Sequence, residues 1–255
     1  MAESITHVLL DIEGTTCPVD FVANTLFPYA STHLKAYMLS HGHEAPVEAL
    51  LQEVREAWRL DHKPPAPAAG ATNVLMIQNP GVEALADYLI KLIEQDRKLP
   101  ALKELQGLVW EEGYSHGAIQ APLFPEVTTC LQQWRQQGLV LGAYSSGSVT
   151  AQQLLYGHTL RGDLRPLFSA WFDTRTGAKQ SSSSYRRISE IMGAEPASVL
   201  FVSDSCPELT AAHGAGMEVA FSDREGNPNR EAKGFPRITS LEQLSPMLLG
   251  RRSPR

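Results

Sequence analysis

Residues 128–147, TTCLQQWRQQG followed by LVLGAYSSG, set a helix-like stretch directly before an apolar strand that ends in serines. The same rhythm returns at 184–204, SYRRISEIMG leading into SVLFVSD, and at 211–223, AAHGAG leading into MEVAFSD. Helix-then-strand repetition of this kind predicts alternating α/β structure around a parallel sheet. Near the N-terminus HVLLDIE at 7–13 is continuous in Val8, Leu9 and Leu10 and then stops at an acid. That suits a strand buried on both faces better than an alternating edge strand.

Between these strands the pattern changes. From about Phe21 to Trp110, EALLQEVREAWRL and GVEALADYLIKLIEQDRK carry apolar residues three and four apart, and no strand is expected there. Within it, KPPAPAAG at Lys63 to Gly70 breaks the helical period, because prolines cannot occupy a helix interior, and predicts a loop between helix pairs. The expected organisation is one α/β core interrupted by a helical insertion. There is no repeat at a fixed period of 20 to 50 residues. The basic tail GRRSPR is given no role.

Composition bounds the function. With 255 residues, 43% of them hydrophobic, the chain can bury a sizeable core. Its formal charge of −6 speaks against a nucleic-acid binder, and no apolar run approaches the roughly 18 residues needed to cross a membrane. Cys17, Cys130 and Cys206 are odd in number and widely spaced, unlike a disulfide framework or a zinc site, so a reducing, cytoplasmic setting is expected. The N-terminus lacks the pattern of a secretory signal.

Ligands of open α/β sheets sit outside the carboxyl ends of the strands, which directs attention to Asp11, Glu13, Ser145, Ser146, Asp173 and Asp204. Asp11 and Glu13 lie two apart before Gly14, so an extended chain projects both carboxylates to one side. Asp204 ends a second apolar strand, with Glu208 four residues on. Converging Asp11 and Asp204 could hold a hard cation such as magnesium; the competing reading of Asp204 is a helix N-cap. Ser145 and Ser146 precede a helix and could either meet a phosphate or cap that helix. Lys179, in a loop containing Gly177, could reach a phosphate and pair with carboxylates. GAG at Gly214 to Gly216 follows a helix instead of a strand, which rules out a dinucleotide fingerprint. Phe21, Leu26 and Phe27 could line an apolar pocket but are expected in the core, as are Cys17 and Cys206, whose neighbouring acids make them poor nucleophiles.

Together DIEGT, YSSG, Lys179 and VSDSCPE resemble, in order, the four motifs of the haloacid dehalogenase superfamily of aspartate-dependent phosphatases. The longer strings LLDIEGTTCPVDFVANTLFPY, YSSGSVTAQQLLYGH and FDTRTGAKQSSSSYRRI are similar to the bacterial enolase-phosphatases of methionine salvage. The resemblance implies a Rossmann-like parallel sheet core over 1–20 and 123–255 with an all-helical cap over 21–122. It implies a phosphorylated diketone substrate that is enolised and then dephosphorylated, with one magnesium ion serving both steps. Asp11, Glu13 and Asp204 would hold the metal, Ser145 and Ser146 would contact substrate, and Lys179 would bind the phosphate, with Glu208 supporting. Most of the superfamily has aspartate at the Glu13 position; the enolase-phosphatases share the glutamate. Glu13 could therefore act through its side chain as an acid or through its backbone carbonyl as a ligand, and the base for enolisation is open. A monomer is expected. A generic sugar-phosphate phosphatase, a metal-free dehalogenase, or a phosphoacceptor signalling module are the competing functions on this fold.

Overall fold

The computed structural model describes residues 4–62, 80–95, 97–245 and 248. The proline-rich 63–70 and the basic tail lie outside the described residues. The chain divides into two compact units, one made of Met1–Ala23 and Ile119–Arg255, the other of Asn24–Ala118.

The first unit is built on six parallel strands, β1 (His7–Leu10), β2 (Val140–Tyr144), β3 (Ala170–Phe172), β4 (Val199–Ser203), β5 (Glu218–Ser222) and β6 (Arg237–Ile238). They lie in the order β3-β2-β1-β4-β5-β6. The central strands are as apolar as their sequences require: Val8, Leu9, Leu10, Leu200, Phe201 and Val202 are all fully buried. Leu9, Phe201 and Val219 pack on one face with Tyr185, Ile188, Leu209 and Ala212. Val8, Leu10, Leu200 and Val202, alternating with them, are buried as well, so both faces are covered. The short strands β3 and β6, with three and two residues, carry too little apolar pattern to stand out in the sequence.

The chain leaves β1 for β2 and β3 on one side, then crosses back to place β4 on the other side of β1. Ligands bind at such a reversal of strand order, outside the carboxyl ends. Asp11 and Asp204 follow the last residues of the two strands that flank it.

The second unit, among its described residues, contains helices and no strand. At the end of the first unit's N-terminal segment a three-residue turn α1 (Val19–Phe21) leads into a π segment (Val22–Leu26), along which the second unit begins, and then into α2 (Phe27–His41), followed by α3 (Ala45–Asp61), α4 (Val82–Glu94) and α5 (Pro100–Ser115). Burial falls at helical spacing: Ala30, Leu34 and Met38 on α2, and Val47, Leu50, Leu51 and Val54 on α3. Trp110 on α5 donates its indole N–H to the Leu26 carbonyl at 2.7 Å. That bond satisfies a carbonyl within the π segment, where the regular ladder is shifted. Asp61 at the end of α3 accepts from Tyr88 at 2.7 Å and takes both arms of Arg97. Phe21 and Leu26 are buried, whereas Phe27 is 42% exposed, with its ring edge-on to Trp110.

The remaining helices belong to the first unit: α6 (Val127–Gln136), α7 (Val149–Gly157), α8 (Ser182–Met192) and α9 (Cys206–Gly214). No helix among the described residues is long and apolar enough to cross a membrane. All three cysteines are buried and unbridged.

Candidate active site

Asp11 is the centre of the polar cluster beyond β1. Its side chain is 7% exposed and receives three donors. Lys179 Nζ lies 2.7 Å from Oδ1, the Ile12 N–H donates to the same oxygen at 2.8 Å, and Ser203 Oγ donates to Oδ2 at 2.8 Å. A carboxylate fixed by an ammonium and two neutral donors has one orientation available.

Lys179 is also within 2.8 Å of Glu208 Oε2 on α9, so the ammonium bridges two carboxylates contributed by distant parts of the chain. Burial works against its charge, but Asp11 and Glu208 outweigh that and hold its pKa above the ordinary lysine value. The loop that carries it is clamped from both sides. Tyr185 donates to the Lys179 carbonyl at 2.7 Å, Ser184 to that of Ala178 at 2.8 Å, and Tyr144 to that of Gly177 at 2.9 Å. A Cβ on Gly177 would meet Ser184 Oγ at 2.2 Å, so this close approach of loop and helix requires glycine.

Ser203, the last residue of β4, ties the cluster together. Beside its bond to Asp11 it lies 3.2 Å from Glu208 Oε2 and accepts the Ser205 N–H at 3.1 Å. In the sequence Ser203 stands in the shadow of the acid that follows it, and its one signal is a serine at the last position of an otherwise apolar, fully buried strand.

Four acids, Asp11, Glu13, Asp204 and Glu208, surround one lysine, and the excess shows in the proton affinities of the last three. Burial, then Asp11, pushes Asp204 up to about 7 against the opposing pull of Lys179. Glu208 is likewise pushed up to about 7, first by burial and then by Asp11. Glu13 is raised by burial and then Asp11, with Lys179 again opposing. In metal-free protein these groups bind more protons folded than unfolded. Their ionisation therefore costs stability as pH rises from about 4, the unfolded carboxylate range, to about 7, and the cost is constant above that. Thermal melts in a chelator are expected to show a falling midpoint over that window. A midpoint that rises steadily through it contradicts the placement of these acids.

Asp204 is not a helix cap. The N-cap of α9 is Ser205, and no side chain bonds there, so the Asp204 carboxylate is not committed to the helix end. Its Oδ2 rests instead against the backbone of Gly14, where a Cβ would approach it to 2.3 Å. Gly14 has φ +70°, a conformation side chains resist. Gly14→Ala is accordingly expected to lower unfolding free energy by about 2 kcal/mol or more and to weaken cation binding. Denaturant titration with and without magnesium measures both; an unperturbed variant rules out the close approach.

Of the two roles expected of the serines, only the capping one is met elsewhere. Ser148 is the N-cap of α7, accepting from the Ala151 N–H at 3.2 Å. Ser145 is buried and accepts the Gly147 N–H at 3.1 Å, shaping the turn, while Ser146 is exposed. Neither caps the helix. Asp173, the strand-end acid after β3, is occupied structurally. It accepts from the Val149 N–H at 3.2 Å and from the Arg175 N–H and guanidinium, which outweigh burial and hold its pKa below the ordinary value.

Arg224 and Asn227 went unnoticed in the sequence. Arg224, 4% exposed, donates twice to the Thr15 carbonyl, stacks over Phe124 and pairs with Glu126, fixing the turn that follows Glu13. Nothing local in DREGN distinguishes a buried arginine from a solvated one.

Comparison with known proteins gives the arrangement its family. The sequence profile of haloacid dehalogenase-like hydrolases matches residues 5–216. A Synechococcus sp. (strain RCC307) protein named Enolase-phosphatase E1 is 49% identical over 245 residues, covering 96% of each chain. The chain belongs to the enolase-phosphatase family. A second member, from Prochlorococcus marinus (strain MIT 9313), is 47% identical over 96% of this chain and 100% of its own. In structure, the UTR4 protein of Saccharomyces cerevisiae superposes with TM-score 0.73 at 31% identity, over 92% of this chain and 98% of that one. As an enolase-phosphatase of the haloacid dehalogenase fold, the chain is an enzyme, a phosphatase.

Phosphatases of this superfamily use magnesium, and the donor set fits one. Hard oxygens prevail, negative charge exceeds positive, and Asp204 is held against Gly14 without a capping role. Among the described residues no group of three or more His, Cys, Asp or Glu closes around a metal by itself. Magnesium typically takes one or two carboxylates and completes its shell with water and phosphate oxygens.

Proposed function

We propose that this enzyme enolises 2,3-diketo-5-methylthiopentyl 1-phosphate and then removes its phosphate, releasing the acireductone 1,2-dihydroxy-3-keto-5-methylthiopentene in methionine salvage. One observation carries the reading: chains named enolase-phosphatase and of nearly equal length align with 96% of this one, insertion and core together.

In this reading Asp11 is the nucleophile. Its fixed carboxylate forms the new O–P bond as the bond from phosphorus to the substrate oxygen breaks, and water then hydrolyses the acyl phosphate. An anion approaching an anionic phosphate is strongly repelled at low effective dielectric, and Lys179 lowers that repulsion from the side of Asp11. Glu13, which holds its proton more tightly than an ordinary carboxylic acid, protonates the leaving oxygen. Ser145 and Ser146 contact the substrate, and Glu208 orients Lys179 through their 2.8 Å contact. Asp11, Asp204 and the backbone carbonyl of Glu13 would hold the magnesium ion, which when bound would supply positive charge to the phosphate and to the developing enolate. The inserted helical unit serves as a cap that excludes water during turnover. We place the enzyme in the cytoplasm, in keeping with three unbridged cysteines, and read it as a monomer, since one chain supplies every member of the cluster.

Phosphate release should fall at least a hundredfold in excess EDTA and recover on adding magnesium. Unchanged hydrolysis in EDTA, or halide release from a 2-haloacid in its place, contradicts the proposal.

A further inference from the structure

Asn227 leaves one polar atom unaccounted for. Its Nδ2 donates to the Gly14 carbonyl at 3.0 Å and to the Ser222 carbonyl at 3.2 Å. Both partners are acceptors, which fixes the amide: turned over, it would set oxygen against oxygen. Its Oδ1 must therefore point away from both, and there it is buried without any partner, in a residue only 6% exposed.

Gly14 shows where that oxygen points. The position a Cβ would take on Gly14 lies 2.9 Å from Asn227 Oδ1 and 2.3 Å from Asp204 Oδ2. Both acceptor oxygens thus crowd the same side of Gly14, and that of Asn227 has no hydrogen-bond partner. An unpaired buried acceptor costs about 1–3 kcal/mol, and a neighbouring carboxylate oxygen adds repulsion. A donor reaching Asn227 Oδ1 would relieve that cost.

The segment that presents Asn227 is firmly held. Asp223 is fully buried and takes the guanidinium groups of Arg230 and Arg237, and Arg224 is anchored on the Thr15 carbonyl. Oδ1 is therefore aimed by the fold.

We propose that Asn227 is a positioning residue for the magnesium ion, its Oδ1 accepting a hydrogen bond from a water carried by the ion that Asp204 ligates. The inference rests on the magnesium reading above and extends it to a residue outside the four motifs. Water on a divalent cation is a strengthened donor, and magnesium parts with its waters reluctantly. Outer partners of this kind typically change metal affinity about 10–100-fold.

The test is calorimetric titration of chelator-stripped protein with magnesium chloride, without substrate. Asn227→Ala is expected to raise the magnesium Kd about tenfold or more. Ser222→Ala is the control: it removes the 2.9 Å bond from Ser222 Oγ to the same Gly14 carbonyl but leaves Oδ1 in place, so its Kd should stay within about twofold of wild type. Equal weakening in both variants would mean that Asn227 acts only by anchoring Gly14, and unchanged affinity in Asn227→Ala overturns the proposal outright. If Asn227→Ala does not fold, Asn227→Ser, whose hydroxyl can still donate to one of the two carbonyls while Oδ1 is gone, is titrated in its place: a magnesium Kd raised about tenfold is expected, and an unchanged Kd overturns the proposal. Failure of the wild-type protein itself to bind magnesium would instead refute the underlying reading.

Discussion

Asn in place of Asp11 is expected to abolish phosphate release, with kcat reduced by about 10⁴ or more, while the fold survives. The amide matches the carboxylate in shape. Its oxygen can take the Oδ1 position, accepting from Lys179 and the Ile12 N–H, and its NH₂ then faces Ser203. Ser203 Oγ can turn its proton to Glu208, already 3.2 Å away, and accept from the amide instead. No buried group loses its partner, and one negative charge leaves a crowded cluster. What disappears is the nucleophile, and a neutral amide oxygen does not replace it. Turnover within about a hundredfold of wild type, in protein with normal circular dichroism, would remove Asp11 from the role assigned to it.

Lys179→Met should be nearly as severe for catalysis and more severe for stability. The ammonium is 10% exposed and serves two carboxylates that are themselves 7% and 14% exposed. Methionine fills most of the volume but leaves both acids unpaired, a change that typically costs about 3–5 kcal/mol in a buried pair. The loss should depend on pH. Lys179 opposes the upward shifts of Glu208, Asp204 and Glu13, so without it these acids hold their protons to still higher pH in the folded state, the folded form binds more protons than the unfolded one, and destabilisation grows as pH rises. Unfolding free energies of metal-free protein at pH 5.5 and pH 8 should therefore show the larger deficit at pH 8. Activity is expected to fall about a hundredfold or more, with KM raised as well, since the phosphate loses its cation. Equal deficits at the two pH values would show that Lys179 is not paired with acids in solution.

The sheet was legible because four of its strands are continuous apolar runs ending at polar residues, and helices precede three of them. The strands β3 and β6 are too short to carry such a signal, and they owe their place to neighbours already positioned. The site was legible where chemistry sits at strand ends: Asp11, Lys179 and Glu208 meet, and Asp204 rests on Gly14 as glycine allows. It was hidden where a side chain acts by being buried. Ser203, Arg224 and Asn227 are ordinary polar residues in the sequence, and only the tertiary structure removes them from water and gives them partners across more than a hundred residues. The capping alternatives for Ser145, Ser146 and Asp204 could not be separated from a site role by sequence, because a cap and a ligand use the same oxygen. Ser148 and Ser205 occupy the cap positions instead.

The most direct test is a two-signal assay. Purified protein is mixed with 2,3-diketo-5-methylthiopentyl 1-phosphate, with and without magnesium, and enol absorbance and inorganic phosphate are recorded together. Both signals should appear with magnesium and neither in its absence, the enol preceding the phosphate. Phosphate released from simple sugar phosphates, with no enol formed from the diketone, would contradict the enolase-phosphatase assignment of this site and leave a general phosphatase in its place.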